Sequence, residues 1–251
     1  GASENPDVHA FRAHVREHGP TEEGLELAPQ WLGFERRMVE HLLARPDDYV
    51  GAFKKLPGNL QLMTVHALQS VVFNKSLHAR INAGLPISRP VAGDLVGRID
   101  EKGQLEASSC VNVETRTLPR ITRNCEMGRL VTTGPLPGSE IQACEGESGS
   151  LEMDVIKTMS LDEADWNVKA IPRLSTRGTR RSLVTEFNEL AIDTVPIADD
   201  ESMGERWKSG PGSDSRWHAD GACIRFRFVL SSGSYATTLL REFMQGPLSQ
   251  L

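Results

Sequence analysis

The chain has 251 residues, 39% of them hydrophobic, and a formal net charge of −6. That composition supports one large or two modest cores, and the acidic balance excludes a protein that coats nucleic acid through bulk charge. No apolar run reaches the roughly 18–20 residues needed to span a bilayer and no basic-then-apolar leader opens the chain, so a globular cytoplasmic protein is expected. Its first residue is glycine, which fits processing, an added residue or the cut edge of a longer protein.

Residues 1–50 read as helices separated at Pro20, Pro29 and Pro46. Val8, Phe11 and Val15 share one face, and Trp31, Phe34, Met38, Leu42 and Leu43 another. Asn59 is the expected cap of the next helix, which runs towards Ile81 and stops near Gly84 and Pro86. Its apolar residues, from Leu60 to Leu77, occupy more than one face, so burial on most sides is expected. Gln69, Ser70 and Asn74 then need partners, either in neighbouring loops or in RNA. Short strands are expected at 91–99, 107–113 and 130–133, with a turn at 134–138. A helix over 151–159 and a strand over 182–185 follow, and then a largely irregular loop over 193–221 containing Trp207 and Trp217.

The clearest local pattern lies near the end. Ile224, Phe226, Phe228 and Leu230 alternate with Arg225, Arg227 and Val229, the period of a strand with one buried face. Gly233 ends it, Ser234 offers a capping hydroxyl, and Tyr235, Leu239, Leu240, Phe243 and Met244 follow helical spacing. Such a junction aims backbone N–H groups and a helix dipole at whatever lies above it, which favours an anion such as phosphate. Tyr235 beside it either stacks on a planar base or plugs the core.

Basic charge is concentrated twice, at Arg116, Arg120, Arg123 and Arg129 and again at Arg173, Arg177, Arg180 and Arg181. Each cluster reads as a phosphate-tracking surface or as a solvated face with scattered ion pairs. Cys110, Cys125, Cys144 and Cys223 form no C-x-x-C pair and have no histidine at zinc-ligand spacing, so reduced, buried thiols are expected and a metal site is not. His9, His14, His18 and His41 fall in charged helical surroundings and read as solvent-facing or partly buried side chains.

Five segments occur in a telling order. They are Leu32-Gly-Phe-Glu-Arg36; the helix carrying Asn59-Leu60, Val65, Ala67, Gln69-Ser70 and Phe73-Asn74; Val91-Ala-Gly-Asp94; Gly178-Thr-Arg-Arg181; and Leu230-Ser-Ser-Gly-Ser-Tyr-Ala-Thr237 with its Arg241-Glu242 helix. In order and content these closely resemble the TruD family of tRNA pseudouridine synthases. The resemblance implies an α+β fold in which residues 1–183 are mainly the family's inserted domain, with an N-terminal helical region. Residues 184–251 would then return to complete the catalytic domain. It implies isomerisation of a uridine in tRNA, uridine-13 in the family, with no cofactor or metal.

The family's G-x-K-D motif with the nucleophilic aspartate, its G-N-x-F and its N-Y-F-G-x-Q-R-F-G do not occur in this sequence. The resemblance therefore places the catalytic aspartate in a missing N-terminal half of the same polypeptide and implies that this chain binds tRNA without turnover. Asp94 matches the aspartate of the inserted domain's V-x-G-D, and Asp154, Asp162 and Asp165 sit in ordinary surroundings, so none is expected to be the nucleophile. Tyr235 matches the aromatic that the family sets against the target base. Arg180 and Arg181 match its R-R pair, where phosphate contact and a domain-joining salt bridge are both open; Arg116, Arg120, Arg123 and Arg177 are the further candidates for RNA contact. Ser231 stands where the motif has proline, and Val71 where an aromatic usually follows Q-S. A non-catalytic RNA-binding protein and an α+β interaction domain without an RNA role are the alternatives.

Overall fold

The computed structural model describes residues 5–196, 222–231 and 234–244. Caps set the N-terminal helices. In α1 (Pro6–His18) proline opens the helix, the Asn5 side chain accepts from Asp7 N at 2.9 Å, and Gly19 ends it at φ 76°. Thr21 caps α2 (Glu22–Leu27) by accepting from Gly24 N, and α3 (Gly33–Ala44) follows. Asp48 caps α4 (Tyr49–Phe53) through Gly51 N and also bonds His41 Nε2 at 2.8 Å; that His41 bond, with the Gly51 N–H, holds its carboxyl below the ordinary range.

Val8, Phe11, Ala28, Leu32 and Val39 form the core of this helical region. The inward face of α3 is not the expected one: Trp31 is 67% exposed and Phe34 also reaches the surface, while Leu32, Val39 and Leu43 turn in. Arg36 accounts for the rotation. Its guanidinium donates to Leu25 O and Ala28 O at 2.8 and 2.7 Å, satisfying the open carbonyls at the end of α2.

The long helix α5 (Gly58–Asn82) begins after Pro57, so Asn59 lies inside its first turn and is not the cap. It ends before Gly84, at φ 75°, with Leu85 N donating back to Arg80 O. Burial on most sides does not hold. One stripe of Gln61, Gln69, Val72, Phe73, Ser76 and Arg80 is buried, and Met63, Val71 and Ile81 are exposed. Gln69 takes the loop-tying role, donating to Pro137 O at 2.8 Å and Thr176 Oγ1 at 3.2 Å, whereas Ser70 is half-buried and Asn74 exposed.

Strands β1 (Leu95–Arg98), β2 (Val111–Asn112), β3 (Leu130–Leu136) and β4 (Thr179–Ser182) form an antiparallel sheet in the order β2-β1-β3-β4. α6 (Leu118–Glu126) precedes β3, and α7 (Gly146–Thr158) follows it, starting ahead of the expected 151. Residues 107–109 make a 3-10 turn, not the start of a strand. The expected turn at 134–138 is also corrected, because β3 continues through Gly134 and Pro135. Pairing with β1 ends at Thr132 and pairing with β4 starts at Thr133, so Pro135 occupies a stretch with a strand on one side only. The strand expected at 182–185 lies earlier, at β4.

Two buried ion pairs fasten the helices to this sheet. Arg80 holds Asp94 through two bonds of 2.7 Å and also reaches Ser148 Oγ on α7, while Asp94 accepts from Val91 N. Arg180 forks onto Glu152 of α7 at 2.7 and 2.8 Å. Gly93, at φ 95°, brings its backbone against Glu145, where a Cβ would collide with Glu145 O. The V-x-G-D motif thus supplies a close crossing and the carboxylate beside it.

A separate antiparallel ribbon of β5 (Phe187–Pro196) and β6 (Ala222–Leu230) carries α8 (Ala236–Met244). The expected alternation holds over 225–230, where Phe226, Phe228 and Leu230 are half-buried, but Ile224, expected on the same face, is exposed; Arg225 and Arg227 both reach Asp193 on β5, and Phe226 meets Phe243 of α8 with ring centroids 5.1 Å apart. β5 takes the first part of the expected 193–221 loop. The rest of that loop, with Trp207 and Trp217, and Gly233 lie outside the described residues.

Asp94→Ala leaves the Arg80 guanidinium buried without its counter-charge. It is expected to lower folding stability by about 3–5 kcal/mol, read from urea or thermal unfolding of the chain; a loss within about 0.5 kcal/mol contradicts this account of the pair.

Candidate nucleic-acid interface

On α6, Ile121 is buried against Val96 and Val113, with Leu118, Cys125 and Leu130 packed around them. That anchoring turns Arg120 and Arg123, three residues apart and so on one face, towards solvent. Arg116 before the helix and Arg129 after it are also exposed. The Arg116 guanidinium bonds Glu114. Among the described residues, Arg120, Arg123 and Arg129 have no carboxylate within ion-pair distance, so this strip carries local positive charge on an acidic chain.

The second cluster does not stay together. Arg177 is exposed and paired with Glu140 at 3.2 Å, and Arg173 donates to Gln61 Oε1 at 2.6 Å. Successive residues of β4 point to opposite sides. Arg181 therefore lies over the Phe73 ring of α5, 5.4 Å from its centroid, and Arg180 enters the interior with 5% exposure. Besides Glu152, Arg180 donates to Thr133 O, Thr133 Oγ1, Gln142 O and Cys144 Sγ. Arg180 is thus taken up by a buried salt bridge to Glu152 within residues 1–183, which is neither phosphate contact nor the domain-joining bridge expected as its alternative: burial lowers its pKa, but the Glu152 carboxylate outweighs this and raises it. The same burial pushes the Cys144 thiol up to about 12. Cys110 and Cys125 are half-buried and raised for the same reason. Among the described residues no group of histidine, cysteine and carboxylate side chains could hold a metal ion.

Tyr235 stands at the start of α8 with 59% exposure, so it fills no core among the described residues. Ser234 does not cap the helix with its hydroxyl; that group bonds Thr185 Oγ1 and Ser231 Oγ instead. Close by, a cleft of about 550 Å³ separates the first sheet from the ribbon, lined among others by Asp100, Lys102, Thr132, Thr185 and Ser231. Sequence reading missed this cleft and the 100–103 turn on its rim. The signal was the Asp-Glu-Lys-Gly run, in which Asp100 accepts from Lys102 N and Gln104 N and Gly103 sits at φ 72°.

A family model described as tRNA pseudouridine synthase D (TruD) matches residues 1–243. The chain belongs to the TruD family. It is 34% identical over 242 residues to a probable tRNA pseudouridine synthase D of Methanosarcina acetivorans, covering 96% of this chain and 51% of that protein. It is 35% identical over 234 residues to the one from Methanosarcina mazei, covering 93% and 49%. A crystal structure of a Methanosarcina mazei protein assigned as TruD superposes with a TM-score of 0.79 at 32% identity, covering 99% of this chain and 52% of that one. The chain therefore spans about half the length of the curated relatives it matches.

The TruD motifs fall on joints of the fold. Gln69 ties α5 to the loops at Pro137 and Thr176, Phe73 packs on the bare backbone of Gly134, and Gly93-Asp94 forms the crossing and ion pair described above. Gly178, at φ 78°, lets its backbone pass against Gly138 where neither position has room for a Cβ.

A thiol with its pKa near 12 is almost wholly protonated at about pH 8. Iodoacetamide is expected to label Cys144 at least about tenfold more slowly in the native chain than after unfolding, measured by mass spectrometry of the Cys144 peptide. Equal rates contradict the buried, protonated thiol.

Proposed function

We propose that this chain is the C-terminal half of a tRNA pseudouridine synthase that isomerises a uridine of tRNA, uridine-13 by family resemblance. The observation that carries the reading is the match of residues 1–243 to the TruD family at about half the length of its members. In this reading residues 1–183 are mainly the inserted domain and residues 184–251 the returning part of the catalytic domain; the change from the first sheet to the ribbon between Ser182 and Phe187 supports the division.

The ribbon supplies a second support. A two-stranded sheet is marginal alone in water, and here Phe187, Ile192, Ile224 and Val229, with Phe243 and Met244 of α8, are exposed. The missing N-terminal half is the partner that extends this sheet, covers those side chains and carries the nucleophilic aspartate towards Tyr235. Isomerisation breaks the bond from ribose to N1 of uracil and remakes it at C5, which requires the base to leave its stack. Tyr235 offers the exposed ring for that base, at about 1–3 kcal/mol of stacking. Arg116, Arg120, Arg123, Arg177 and Arg181 are the groups left for the phosphate backbone once Arg180 is committed to Glu152.

Three outcomes follow from this reading. The 251-residue chain alone leaves unmodified tRNA without pseudouridine, whereas the polypeptide with its N-terminal half restored forms it; turnover by the chain alone overturns the placement of the nucleophile, and binding without turnover by the restored polypeptide leaves a non-catalytic RNA-binding protein. Replacing Arg116, Arg120 and Arg123 together by alanine weakens tRNA binding and flattens its log–log salt dependence by about 0.7–0.9 per lost phosphate contact, as titrations between low and moderate salt measure; an unchanged slope makes the α6 strip plain solvated surface. In the restored polypeptide, Tyr235→Phe stays near wild type and Tyr235→Ala loses about five- to 150-fold in single-turnover rate, with unchanged melting. A Tyr235→Ala protein that melts early but keeps its rate refutes the stacking role.

A further inference from the structure

The Tyr235 ring is 59% exposed, so its place depends on the backbone on either side. On the helical side Thr238 N and Leu239 N donate to Tyr235 O. On the other side stand three hydroxyls from three segments: Thr185 from the link between the sheets, Ser231 from the end of β6 and Ser234 just ahead of the ring. Their oxygens form a triangle with every edge at 3.0 Å. Each hydroxyl brings one proton and can both donate and accept, so the three close a ring with one donor per edge. Ser234 N adds a bond to Ser231 O at 3.1 Å. Ser231 also lies beside the turn at 100–103: a Cβ on Gly103 would stand 3.3 Å from Ser231 Cβ.

The identity of Ser231 sharpens the point. The family motif has proline there, and proline fixes φ near −65° without any partner. Serine leaves φ free, so residue 231 has to be held by contacts, and the ring of hydroxyls supplies them. We propose that Thr185, Ser231 and Ser234 are positioning residues that hold the backbone before Tyr235 and so aim its ring, a role that rests on Tyr235 being the base-facing aromatic. The ring joins the link, the ribbon and the helix start in one hydrogen-bonded unit, and removing any one hydroxyl breaks two of its three edges.

The test uses the two tyrosines of the chain, Tyr49 and Tyr235. With both replaced by 3-fluorotyrosine, fluorine NMR gives two lines, assigned by Tyr49→Phe. Ser231→Ala, Ser234→Ala and Thr185→Val are each expected to shift and narrow the Tyr235 line while the Tyr49 line stays in place. Ser234→Thr, which keeps a hydroxyl, and Ser231→Pro, which fixes the turn covalently, are expected to keep it near its original position. A Tyr235 line unmoved in all three deletions overturns the proposal.

In the restored polypeptide, Ser231→Ala is expected to lower kcat/KM about tenfold, the scale of one to two neutral hydrogen bonds, with Ser231→Pro within about twofold of wild type. In a Tyr235→Ala background Ser231→Ala should cost nothing further; losses that simply add overturn the positioning role. If the restored, unaltered polypeptide has no turnover on tRNA, the synthase reading fails, and the fluorine lines still decide whether the hydroxyls aim the ring.

Discussion

The pairs Arg80–Asp94 and Arg180–Glu152 are the constraint on which the architecture of the first sheet turns. Each takes two charges out of water, which costs several kcal/mol per ion before attraction offsets it. Such a pair tolerates only an arrangement in which the guanidinium fork meets both carboxylate oxygens and the remaining N–H groups find acceptors. Here the acceptors are Pro86 O, Ser148 Oγ, Thr133 and Gln142 O, drawn from four different segments. Sliding α5 or α7 by one residue would strand a charge in the interior. The pairs thus act on which arrangement forms more than on how much free energy it gains, and Arg80 is buried on α5 for that reason.

The same pairs decide what the arginines of this acidic chain are free to do. Those on α6 stand on a helix whose opposite face is apolar, and nothing inside competes for them. Those on and beside β4 are divided by the pleat: one becomes part of the interior and its neighbour lies across an aromatic ring. Local charge density in the sequence therefore overstates the charge that reaches the surface, and the two clusters, alike on paper, differ in kind.

Much of the fold was legible because it rests on short-range rules. The alternation of Arg225 and Arg227 with Phe226 and Phe228 was a strand in the sequence and is one in the structure. Glycine after α5 marked its end. Two differences arise where a contact from another element overrode a local signal. Gly134-Pro135 is turn chemistry taken up by a strand because β4 replaces β1 as the partner at that point. Trp31 and Phe34 looked like a core face until Arg36 rotated α3 onto the end of α2. Of the candidate site, Tyr235 and the α6 arginines are exposed, whereas the interior position of Arg180 depends on Glu152, which lies far away in the chain and carries no local mark.

Leu183 N still donates to Thr132 O, so the first sheet holds the chain up to that residue, and β5 begins at Phe187. Only Val184, Thr185 and Glu186 lie between. Three extended residues reach roughly 10–11 Å, which limits how far the two sheets can part along this strand of chain. A body tethered so closely cannot retreat. The length of this link therefore sets how deep and how wide the floor of the cleft between the sheets can be, whatever lines its mouth.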